Sequence, residues 1–147
     1  MDGNYIVLGH SKGGNLAVYA SAMCRENVQN RIERVFSHDG PGFLEATLQS
    51  KEFNQVSSRV EKTLPQSSII GMLLEHQEQF QIVKSNRTGL LQHDPFSWLV
   101  ENSDFFYIEK LTKDAQYADR TLTDWLNRIS EEDRERRQCG DHSAGIL

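Results

Sequence analysis

The sequence predicts an α/β fold: a mostly parallel sheet with flanking helices. Three observations carry this. Tyr5-Ile6-Val7-Leu8 is a short, wholly apolar run, followed at once by Gly9-His10-Ser11-Lys12-Gly13-Gly14 and then by a stretch with helical spacing. Two further short runs, Arg31 to Ser37 and Phe80 to Ser85, read as strands, with helical segments between the runs. No internal repeat or low-complexity linker interrupts the 147 residues, a length that fits one domain of about 150 residues. Strands that alternate with helices favour parallel pairing. The expected domain covers residues 1–137, and residues 138–147 are expected to be a frayed tail.

Each element has a local reason. Tyr5 to Leu8 has two β-branched residues and no polar alternation, so it reads as a strand buried on both faces. Asn15 to Cys24 places Leu16, Tyr19, Ala20 and Met23 at i, i+3, i+4 and i+7, which predicts a helix with that apolar face. Asp39-Gly40-Pro41-Gly42-Phe43 is a turn after the next strand. Leu44 to Val60 reads as one helix, using Leu44, Leu48 and Val56. Thr63 to Ser68 reads as a break, and Ile69 to Leu74 suits either a strand or a helical turn. Gln77 to Gln79 is a polar turn, and Asn86-Arg87-Thr88-Gly89 turns the chain after the Phe80 strand. Tyr117 to Arg137 is an amphipathic helix carrying Leu122, Trp125, Leu126 and Ile129, with a charged end from Glu131.

Composition narrows the partners. Sixteen Lys and Arg stand against 21 Asp and Glu, a net charge of −5, which disfavours nucleic acid as the main partner. Seven Phe, four Tyr and two Trp are too many for a disordered chain. No apolar run approaches the roughly 18 residues of a membrane span, so no transmembrane segment is expected. The N-terminus lacks a basic stretch ahead of its apolar run, so no signal peptide is expected. Two cysteines, Cys24 and Cys139, are too few for a disulfide framework, and a reduced, cytoplasmic setting is expected. No Cys-x-x-Cys or His-x-x-x-His spacing occurs, so neither a metal nor any other cofactor is expected.

The order strand, Gly-x-Ser-x-Gly, helix is that of a nucleophile elbow. A turn this tight leaves no room for side chains beside the serine, so Gly9 and Gly13 are expected to relieve clashes and take up the backbone strain. Ser11 is then raised at the start of a helix, where free N–H groups favour developing negative charge. The Lys12 N–H is the expected oxyanion-hole donor. A serine nucleophile needs a base and a group that orients the base. Of five histidines, His93 is the expected base, because it follows the Phe80 strand and a glycine turn. His10 is expected to pack with its ring turned away from Ser11, His38 to pack or hydrogen-bond locally, and His76 to be exposed. His142 lies in the tail. For the acid, Asp39 comes first, Glu75 second and Asp94 third. Asp39 also suits the simpler role of fixing its own turn.

Four blocks in order, Gly9 to Ala17, Asp39 to Phe43, Pro65 to Met72 and Gln92 to Trp98, resemble a bacterial family of lipase-like α/β-hydrolases. The likeness runs from about Tyr5 to about Arg136. It implies part of an α/β-hydrolase fold, with Ser11 as nucleophile and His93 as base. The implied activity is that of a serine esterase or lipase acting on an acyl ester or lipid-like substrate. Phe43, Met72, Leu73, Phe96 and Trp98 are the apolar side chains expected to favour an acyl group. Members of that family carry strands ahead of the elbow, one of which leads to a second oxyanion N–H. The resemblance therefore implies a bare edge on the Tyr5 strand and a homodimer as one means of covering it. Two rival readings are an inactive truncated hydrolase and a partner-dependent interaction module.

Overall fold

The computed structural model describes residues 3–68, 70–71 and 80–110. Over these the chain forms β1 (Tyr5–His10), α1 (Lys12–Met23), α2 (Glu26–Gln29), β2 (Ile32–His38), α3 (Glu45–Leu48), α4 (Lys51–Val56), β3 (Val60–Pro65) and β4 (Phe80–Val83). Three two-residue strands follow: β5 (Val100–Glu101), β6 (Asp104–Phe105) and β7 (Tyr107–Ile108). Short 3₁₀ turns cover Gly89–His93 and Pro95–Ser97. The main sheet has the order β1-β2-β3-β4-β7. Its first four strands are parallel, and β7 runs antiparallel to β4. The expected α/β architecture with a mostly parallel sheet is present.

Successive parallel strands need crossovers, and crossovers of one hand put their helices on one face. Here α1 and α4 touch each other. Between them and the sheet lies a core that includes Val18, Ala22, Val35, Phe53, Val56 and Val60. The sheet brings the C-terminal ends of β1, β2 and β3 side by side. Open parallel sheets place their sites at such ends.

Four expectations need correction. The first concerns α1, whose buried residues are Gly14, Ala17, Val18, Ser21 and Ala22, while Leu16, Tyr19 and Met23 stay exposed. Both faces have helical period, and the smaller one wins because it lets the helix lie close to the sheet. The second concerns β1. Ile6 and Leu8 are 57% and 66% exposed, because β1 ends the sheet and pairs only with β2 among the described residues. The third concerns the Leu44 to Val60 helix, which breaks at Gln49 and Ser50. There the Ser50 hydroxyl donates to Thr47 O at 2.7 Å and accepts from Phe53 N–H at 3.2 Å. A serine that caps the next helix in this way competes with continuing the previous one.

The fourth correction is β3 itself. Its second half was expected to be a break, yet Val60–Pro65 pairs with β2 on one side and β4 on the other. A proline in such a run argues against a central strand. Pro65 is tolerated because it is the last residue of the strand. Met72, Leu73, Glu75 and His76 lie outside the described residues, as do the expected Gln77 to Gln79 turn, the Tyr117 to Arg137 helix and the 138–147 tail. Of the Ile69 to Leu74 element, only Ile70 and Gly71 are described. Among the described residues no helix is long and apolar enough to cross a membrane.

Candidate functional site

β1 ends on His10 and α1 starts on Lys12, so a single residue, Ser11, makes the turn. Its backbone sits at φ 56° and ψ −131°. A side chain in that region is strained by about 1–3 kcal/mol, and residues held so tend to cluster at functional sites. The strain is maintained by hydrogen bonds: Ser11 N–H donates to His38 O at 2.8 Å, and Gly14 N–H donates to Ser11 O at 2.9 Å.

The glycines divide the work differently from expectation. A Cβ on Gly9 would lie 2.1 Å from Gly13 O, against backbone that cannot swing away. A Cβ on Gly13 would meet nothing within 4 Å. Gly9 is therefore required by space, Gly13 is not, and the strained φ belongs to the serine. Close approach is also needed at Gly40, where a Cβ would lie 2.6 Å from Ser37 Oγ and 2.9 Å from Asn15 N. That contact lets the turn after β2 nest against the start of α1. Asn15 then ties the same turn down, with its side-chain amide donating to Gly42 O at 2.9 Å.

Asp39 follows β2 directly. It also has a left-handed backbone, at φ 49°, and its N–H donates to Thr63 O at 2.8 Å. Its carboxylate is 1% exposed and well provided with donors. Oδ2 faces His93 Nδ1 at 2.7 Å. Oδ1 accepts from Gly71 N–H at 3.0 Å and from the Ser68 hydroxyl. A carboxylate only accepts hydrogen bonds. It therefore requires the proton of the His93 ring to sit on Nδ1, leaving Nε2 as an acceptor.

His93 closes the Gly89–His93 turn. His10 reaches it from the elbow: His10 Nε2 lies 2.7 Å from His93 O, and the two rings are 4.6 Å apart. A carbonyl only accepts, so His10 carries its proton on Nε2. The structure thus brings His93, Asp39 and the elbow together. Lys12 opens α1, where first-turn N–H groups have no partner within the helix. Asp94 does not reach the ring of His93. It caps the next turn instead, its Oδ1 accepting from Phe96 N–H at 3.1 Å.

The apolar residues expected around the site scatter. Phe43 is buried against Phe53 in the helix-side core, and Phe96 is 96% exposed. Among the described residues of this set, Trp98 is the one placed near the base. It donates through Nε1 to Gln92 O at 2.8 Å and meets the His10 ring edge-on at 6.3 Å.

His38, at the end of β2, is half-buried beside the same Trp98. It stacks on Phe36 and meets Trp98 and Phe105 edge-on. Its Nδ1 is buried without a hydrogen-bond partner. Burial first, and the neighbouring His10 second, lower its pKa below the ordinary 6.5. The unfolded chain then binds a proton that the folded chain resists. The His38 contribution to stability is therefore fully present above pH 6.5 and is lost as pH falls from there through the folded value. Urea midpoints measured between pH 8 and pH 5 are expected to fall less steeply in His38→Phe than in the wild type. Parallel curves would remove His38 as a cause.

Residues 1–139 match the family model described as Mbeg1-like. No curated protein and no solved structure matches the chain. The match overturns the resemblance to lipase-like α/β-hydrolases. With it go the esterase or lipase activity and the hydrolase description. The inactive-hydrolase and interaction-module alternatives gain no support from the match either. The physical reason for the error is that a strand, a Gly-x-Ser-x-Gly turn and a helix define a local shape, and a local shape does not determine function. The match extends well beyond the elbow and covers nearly the whole sequence, and on that ground the chain belongs to the Mbeg1-like family.

Proposed function

We propose that Ser11, His93 and Asp39 form one nucleophilic centre, in which Ser11 Oγ bonds covalently to an electrophilic atom of a bound molecule. The observation that carries the reading is the 2.7 Å contact between His93 Nδ1 and Asp39 Oδ2, which joins residues 54 apart in sequence. A buried acid that orients an imidazole leaves Nε2 free to accept a proton. Two further features agree with it. Ser11 takes the strained backbone of the turn, and His10, its neighbour, packs on His93.

In the proposed step, an Oγ lone pair of Ser11 adds to the electrophilic atom of a polarised double bond to oxygen, and the π electrons of that bond move onto the oxygen. The hydroxyl proton passes to His93 Nε2, and the resulting imidazolium is balanced by the Asp39 carboxylate. Negative charge that builds on the electrophile is met by the Lys12 N–H at the start of α1. No acyl or lipid substrate is attached to this centre, because those expectations fell with the family resemblance.

An alkyl fluorophosphonate tests the reading, with intact-mass detection of the adduct. The wild type is expected to gain one adduct, mapped to Ser11 by peptide sequencing, and Ser11→Ala none. A folded wild type that takes up no label, or a label that persists in Ser11→Ala, would overturn the proposal.

A further inference from the structure

Asp39 has two oxygens with different duties, and the residues that hold the second are not part of the nucleophilic centre. We infer that Ser68 and Gln92 are positioning residues that set the Asp39–His93 contact, an inference that rests on the nucleophilic reading of the site. The torsion that turns a carboxylate is broad and weakly restrained. A carboxylate held through Oδ2 alone would therefore rock about its axis. Here Oδ1 is pinned by the Ser68 hydroxyl and by Gly71 N–H. The carboxylate offers no proton, so Ser68 must be the donor, and its oxygen in turn accepts from Gly71 N–H at 3.0 Å. Ser68 is buried, so no water replaces that bond cheaply.

Gln92 acts on the base. It is 1% exposed and directly precedes His93. Its Oε1 accepts from Ser67 N–H at 2.9 Å, and its Nε2 donates to Arg87 O at 2.7 Å. One amide therefore joins the residue beside Ser68 to the turn that presents His93. Ser68 sets the rotation of the acid, and Gln92 sets the distance between the acid's loop and the base's loop. Long-range hydrogen bonds of this kind over-determine a geometry that neither loop holds by itself.

The test uses Ser68→Ala and Gln92→Met in the full chain. The two readouts are the low-field proton resonance of His93 Nδ1–H, assigned by its loss in His93→Gln, and the pH dependence of fluorophosphonate labelling. In each variant the resonance is expected to move or broaden. The labelling rate is expected to fall on the order of tenfold, the scale of one hydrogen bond to a charged group, with a shifted pH midpoint. Folding is checked by circular dichroism, and if one variant fails to fold the other decides. A residue that serves only stability would lower the melting temperature and leave resonance and pH midpoint in place; that result overturns the inference. If the wild type takes no label yet its resonance responds to Ser68→Ala, the positioning role stands and the nucleophilic reading falls.

Discussion

Gly9→Ala is expected to destabilise the protein by about 3 kcal/mol, at the upper end of overpacking penalties, whereas Gly13→Ala is expected to stabilise it by about 0.4–1 kcal/mol. The contrast follows from what each new methyl group meets. At Gly9 the group falls 2.1 Å from Gly13 O and 2.7 Å from Gly14 N. Both atoms belong to the first turn of α1, so relief requires moving the helix or opening the Ser11 turn. Neither moves freely, since α1 is packed on β1 and β2. At Gly13 the group meets nothing within 4 Å. That position lies inside α1, where alanine restricts the unfolded chain and suits the helix. Urea unfolding of both variants beside the wild type checks this. Equal midpoints would show that the elbow tolerates a side chain at Gly9 and that the turn is looser than its contacts require.

Asp39→Asn is expected to slow Ser11 labelling by about 10⁴-fold, the scale found when an orienting carboxylate becomes an amide. The direction follows from the donors around Oδ1. Ser68 and Gly71 both donate to it, so an asparagine must place its carbonyl there. Its NH₂ then faces His93 Nδ1, which has to accept instead of donate. The ring proton is forced onto Nε2, the atom proposed to take the Ser11 proton, and the centre loses its base. Asp94→Asn is the matching control. Asp94 caps the Pro95–Ser97 turn, a role asparagine fills about equally well, so stability is expected to stay within about 0.5 kcal/mol of the wild type and labelling within a few-fold of it. Labelling kinetics under matched conditions discriminate the two. An Asp39→Asn protein that labels at the wild-type rate would remove Asp39 as the orienting acid.

Much of the site was legible in the sequence because its signals are local. A buried-type strand, a one-residue turn and a helix start are contiguous, so Ser11 and Lys12 follow from neighbours alone. Their places after strands make Asp39 and His93 the expected acid and base, and the structure puts them 2.7 Å apart. Glu75, the second choice, lies outside the described residues. Ser68 and Gln92 were not singled out. Serine and glutamine are common surface residues, and what marks these two is burial and partners 25 or more residues away. No spacing rule reports that.

The sequence by itself determined the alternation of strand and helix, the turn at Ser11 and the parallel character of the sheet, because period, length and turn chemistry act over a few residues. Tertiary structure alone decided three further matters. It decided which face of α1 is buried, since Leu16, Tyr19 and Met23 and the small residues beside them share one period and only proximity to the sheet separates them. It made Val60–Pro65 a central strand, because its polar residues gain ladder partners on both sides that no local pattern announces. It also showed that Gly9 must be glycine and Gly13 need not be. In each case the deciding quantity is the distance between atoms far apart in the chain, which the fold creates and a linear pattern does not contain.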